Sequence, residues 1–113
     1  MPHCTIEYSK ELEKEIKPSE LIDKVYRGTI NSNLFTDTDI KTRAIPFKNY
    51  QIGDKKANFI HVTIRIWSGR SQEQRKILSE AILNEFKNIN IKQLSITIEI
   101  CEIETESYSK LLL

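Results

Sequence analysis

Residues 59–78, FIHVTIRIWSGRSQEQRKIL, run from a strand pattern straight into a helix start. Ile60, Val62, Ile64 and Ile66 alternate with His61, Thr63 and Arg65, the two-residue period of a strand that buries one face. Ser68 and Gly69 break the alternation with a turn. Ser71 followed by Gln74 has the spacing of a capping box, in which two side chains satisfy backbone groups that the first helical turn leaves unpaired. Ile77, Leu78, Ala81, Ile82 and Phe86 then keep helical spacing, and LSITIEI (94–100) returns to alternation through Ile96, Ile98 and Ile100. The unit is strand, helix, strand.

The same order precedes it. CTIEY (4–8) sets Cys4, Ile6 and Tyr8 against Thr5 and Glu7, and after a charged link Pro18 and Ser19 open a helix. Its apolar residues Leu21, Ile22, Val25, Tyr26 and Ile30 match Ile77, Leu78, Ala81, Ile82 and Phe86 at an offset of 56 positions. DIKTRAIPF (39–47) reads as a shorter strand ending near Pro46, and KNYQIGDKKAN (48–58) reads as a polar loop joining the halves. The tail through Leu113 is too short to assign. The strands of each unit are expected to lie parallel, because the helix supplies the long crossover that a parallel pair needs. The expectation is an α/β (α+β) fold: one domain over 1–113, with pseudo-repeats about 2–46 and 59–102. They form a four-stranded sheet with two helices on one face. The other sheet face carries Thr5, Glu7, His61, Thr63 and Arg65, a mixture suited to solvent or to other subunits around an axis.

Composition narrows the function. The chain has 113 residues, and its 17 Lys and Arg against 16 Asp and Glu leave a net charge of +1, so no overall field favours nucleic acid or an anionic membrane. No apolar stretch is long enough to span a bilayer, and no secretory leader pattern opens the chain. Cys4 and Cys101 sit in strand patterns without metal-ligand spacing, which fits reduced structural thiols in a cytoplasmic protein. His3 and His61 read as ordinary strand histidines, so no metal site is expected.

Several residues admit a structural and a chemical reading. Pro2 either blunts the first strand or, with Met1 removed, carries a free secondary amine, a base that no side chain provides. Arg70, at the strand-to-helix turn, is either a solvated turn residue or a guanidinium fork able to hold a carboxylate. Lys41 and Arg43 alternate onto one face of the second strand. Trp67 can wall an apolar pocket or fill the core, and Arg75 and Lys76 read as a solvated helix face.

The start MPHCTIEYS, the segment IKTRA, the run FIHVTIRIWSGRSQEQR and the length together resemble the tautomerase superfamily, and within it the 5-carboxymethyl-2-hydroxymuconate isomerases, over nearly the whole chain. The second half alone is similar to the short subunit of 4-oxalocrotonate tautomerase, which begins at its proline; here the matching position lies near Ile60, within the chain. The resemblance implies an isomerase that moves a proton between the 2-hydroxyl of a dienol and a distant carbon without metal or organic cofactor. Its base would be the Pro2 amine. Arg70 would be its catalytic partner, and Lys41 and Arg43 would bind a dicarboxylate or tricarboxylate enol from aromatic-ring degradation. Family members carry two arginines where this chain has Lys41 and Arg43, so Lys41 keeps the charge without the fork. A homotrimer is implied. Other readings on the same residues are a phenylpyruvate-like tautomerase, a dehalogenase, or a non-catalytic oligomeric binding module.

Overall fold

The computed structural model describes residues 1–113. Strand β1 (His3–Ser9) leads to helix α1 (Pro18–Asn31) and strand β2 (Lys41–Phe47); β3 (Asn58–Trp67), helix α2 (Gln72–Glu85) and β4 (Leu94–Ile103) repeat that order. The sheet order is β2-β1-β3-β4, with β1 parallel to β2, β3 parallel to β4, and β1 antiparallel to β3. Two β-α-β units thus meet at the sheet centre. The four strands and both helices match the expected α+β architecture.

Alternation produces the core. Cys4, Ile6 and Tyr8 of β1 and Ile60, Val62, Ile64 and Ile66 of β3 are buried against Leu21 and Val25 of α1 and Leu78, Ile82 and Phe86 of α2. Full burial of an aliphatic side chain stabilises by about 1.5–3 kcal/mol, so these central strands carry most of the cohesion. Pro46 falls in β2, an edge strand where the missing amide hydrogen disrupts no central ladder. The helices approach closely at Gly28, where an added Cβ would lie 2.6 Å from the Ile82 Cα.

Three expectations need correction. The buried helix positions repeat at 57 residues, as Leu21 with Leu78 and Val25 with Ile82, and not at 56; Ile77 is 43 % exposed. The charged link holds a short 3-10 turn (Lys10–Lys14) that buries Leu12, with Ile16 buried beyond it. Arg75 does not sit on a solvated face: it is half-buried and lies 3.4 Å from Glu102, tying α2 to β4, whereas Lys76 remains exposed. Packing of α2 against the edge strand draws the Arg75 stem inward while its charge finds a carboxylate.

Candidate active site

Ile66, Trp67, Ser68, Gly69 and Arg70 at the end of β3, Gln74 in the first turn of α2, and Leu34, Phe35, Thr36 and Asp39 after α1 enclose a cavity of about 630 Å³ together with Met1. The local sequence builds each wall. Gly69 has φ +117°, a backbone conformation that L side chains rarely adopt, so the chain turns sharply there and sets Arg70 ahead of the helix. Ser71 then closes the capping box: its hydroxyl accepts from the Gln74 amide at 3.1 Å, and Gln74 Oε1 accepts from the Ser71 amide at 2.9 Å.

The Arg70 guanidinium is anchored from the side, donating from Nη2 to the Leu34 carbonyl at 2.8 Å and lying 5.1 Å from the centre of the Phe35 ring. One of its five N–H donors is used in that bond, leaving the fork able to take an anionic group. Trp67 is both wall and surface: it lines the cavity, is 44 % exposed, and packs edge-on against Tyr108 at 5.8 Å.

The chain start forms the facing wall. The Met1 amine donates to the Asp39 carbonyl at 3.0 Å, and the Lys41 ammonium donates to the same oxygen at 3.4 Å. Burial, and after it the Lys41 charge, hold this amine below the ordinary α-amino value. Pro2 is buried behind Met1, and its carbonyl accepts from the Lys41 amide at 3.1 Å, so Pro2 leads into the sheet at the β2 edge.

The structure therefore brings Arg70 and Met1 onto one cavity, with Pro2 behind Met1 and Lys41 reaching the Asp39 carbonyl from outside the lining, and leaves Arg43 apart. Arg43 stands exposed outside the cavity lining, with Nη1 3.4 Å from His3 Nδ1, while His3 Nε2 lies 2.8 Å from the Tyr108 hydroxyl. Burial first, then Arg43 and Lys41, push the His3 pKa below its usual value. His61 has protein partners on both nitrogens, Thr97 at 2.6 Å and Glu99 at 2.8 Å. Cys4 and Cys101 are free thiols, both pushed above the usual pKa, first by burial. No cluster of three or more His, Cys, Asp or Glu is arranged to hold a metal ion, and no helix is long and apolar enough to cross a membrane. Sequence reasoning missed Leu34, Phe35, Thr36 and Asp39, which share no periodicity, and it missed Tyr108 in the unassigned tail.

This sheet, with its two helices and a cavity between the chain start and the strand-to-helix turn, is the tautomerase-superfamily fold. The protein belongs to the 5-carboxymethyl-2-hydroxymuconate isomerase family, whose profile matches residues 2–111. A 5-carboxymethyl-2-hydroxymuconate isomerase from Deinococcus radiodurans R1 is similar at 27 % identity, with a TM-score of 0.79 over 97 % of this chain and 88 % of that one. A 5-carboxymethyl-2-hydroxymuconate delta-isomerase superposes with a TM-score of 0.81 at 17 % identity, covering 99 % and 88 % of the two chains. A fused 4-OT symmetric trimer shares the fold with a TM-score of 0.71 at 12 % identity, over 92 % and 87 %. No curated protein matches the chain by sequence.

Proposed function

We propose that this isomerase converts a 2-hydroxymuconate-type dicarboxylic or tricarboxylic enol from aromatic-ring degradation into its conjugated ketone, with the Pro2 amine, freed by removal of Met1, as the base. One observation carries the reading: Met1, whose removal would bare the Pro2 amine, lines the same cavity as the Arg70 fork. In the reaction the Pro2 nitrogen takes the proton of the 2-hydroxyl, the oxygen electrons form the carbonyl, the conjugated double bonds shift, and the same nitrogen returns the proton to the distant carbon. Atoms and charge balance without a cofactor. A base that accepts and returns a proton works best with a pKa near neutrality. Burial and the Lys41 ammonium lower the pKa of the Met1 amine, and a Pro2 amine bared one residue further on would meet the same like charge of Lys41. Arg70 would hold a carboxylate in two hydrogen bonds, and Arg43 would hold a second one from the outer sheet face. The enzyme would act as a cytoplasmic homotrimer.

Comparing isomerase rate with intact mass tests the base. An amide nitrogen has no lone pair for acid–base work, so activity is expected to rise in proportion to the fraction of chains beginning at Pro2. Equal rates in processed and unprocessed samples of the same fold would leave Pro2 a strand start and nothing more.

A further inference from the structure

The sheet face without helices ends, at the β3 start, in an apolar groove. Phe47, Tyr50, Ile52 and Phe59 line a cavity of about 500 Å³ there, with Glu7 and His61 on its polar side. The Phe59 ring packs on Phe47 at 6.2 Å and on Tyr50 at 5.7 Å, so the aromatic walls brace one another, yet Phe47 and Ile52 remain 37 % and 41 % exposed. At the opposite end of the same strand, Tyr108 is anchored on Trp67 and His3. Beyond it Leu111, Leu112 and Leu113 are 81 %, 84 % and 107 % exposed. Three consecutive leucines in water and an open aromatic groove on one chain are complementary apolar surfaces.

The groove is out of the tail's own reach. Five residues from Tyr108 to Leu113 span at most about 18 Å when fully extended. The eight strand residues between Trp67 and Phe59 span about 26 Å. We propose that residues Lys110–Leu113 of one copy dock in the Phe47/Ile52/Phe59 groove of a neighbouring copy, with Lys110 facing that copy's Glu7. Each copy then gives one tail and receives one, a head-to-tail contact that closes into a ring when the rotation between copies permits. The inference rests on the homo-oligomeric assembly proposed above and is independent of the Pro2 chemistry.

Sedimentation equilibrium of the full chain over a micromolar concentration series reads the contact. The Leu111→Ser/Leu112→Ser/Leu113→Ser variant keeps its core intact and is expected to raise the dissociation midpoint at least about tenfold. Oxidising a mixture of a Leu112→Cys copy with an Ile52→Cys copy should yield a disulfide whose peptide mass joins the tail of one to the groove of the other. A midpoint unmoved by the three serines overturns the proposal, as does an oxidised mixture in which no disulfide joins the tail of the Leu112→Cys variant to the groove of the Ile52→Cys variant. Ready proteolysis of the leucines in the intact oligomer also overturns it, because docked leucines would be shielded from the protease. If the unaltered chain stays monomeric throughout, the assembly falls with the proposal; a serine-insensitive oligomer removes the tail docking alone.

Discussion

Arg43 decides which nitrogen of His3 carries the proton. A guanidinium only donates, so Nδ1 must accept from it, and the Nε2 hydrogen is directed at the Tyr108 hydroxyl. Protonating His3 would set a second cation against Arg43 and Lys41, and burial with these charges holds its pKa below the ordinary 6.5. The sign follows from linkage: with the folded value depressed, the unfolded chain takes up the proton first as pH falls. The His3 contribution to stability is therefore complete above pH 6.5 and is lost as pH drops through the window below it. Thermal unfolding between neutrality and about pH 5 should show a steeper loss of Tm in the unaltered chain than in His3→Gln; parallel curves would remove His3 from the account. Arg70 makes a different demand, since its fork and not only its charge is set by Leu34 and Phe35. Arg70→Lys is expected to lose most of what Arg70→Ala loses in kcat/KM, about 2 kcal/mol or more of transition-state stabilisation, roughly thirtyfold. A fully active lysine variant would mean that positive charge suffices.

The helices meet where a side chain is missing. At Gly28 a Cβ would stand 2.6 Å from the Ile82 Cα and 3.0 Å from the Ala81 carbonyl oxygen, both backbone atoms that cannot swing aside. Gly28→Ala gains up to about 1 kcal/mol of helix propensity but forces α1 from α2, at about 1–3 kcal/mol of overpacking. A net fall in Tm of about 5–10 °C is expected by thermal melt, and an alanine variant as stable as the parent would show that the crossing is loose. This contact also marks what sequence could and could not disclose. Strands were legible because alternation puts every second residue on one face, and the Ser71/Gln74 pair announced α2 and the turn that positions Arg70. The helix offset slipped by one because Leu21-Ile22 and Ile77-Leu78 are apolar doublets, and helical spacing accepts either member as the buried one. The Leu12 turn was hidden among charges that coat its outer side, and the Leu34–Asp39 wall has no period because a loop's side chains are placed by tertiary contact. Arg70 and the chain start were readable as local signals. Their meeting in one cavity was implied only by the family resemblance and not by any local pattern, because the Leu34–Asp39 loop beside them comes from the other repeat than Arg70.

At the scale of the whole molecule, the proposed site is expected to be shared between copies. A substrate with two or more carboxylates needs two cationic anchors, and the cavity lining of one chain contains a single guanidinium, Arg70, while the nearby Lys41 is a point charge without a fork. Arg43 lies outside that lining on the sheet face without helices, next to His3. In a ring of copies this bare face is turned toward a neighbour, so the Arg43 that completes each pocket is expected to come from the adjacent copy. Subunit mixing tests the division. Arg70→Ala and Arg43→Ala copies, each first shown by circular dichroism to be folded, should both be nearly inactive alone. When equal amounts are dissociated and reassembled together, half of the boundaries have an intact Arg70 on one side, and half of those face an intact Arg43. About a quarter of the unaltered activity should therefore return. If both arginines served the pocket of their own chain, no reassembled boundary could contain the two together, and the mixture would stay at the mean of its parents; that outcome would place the second carboxylate anchor elsewhere in the chain.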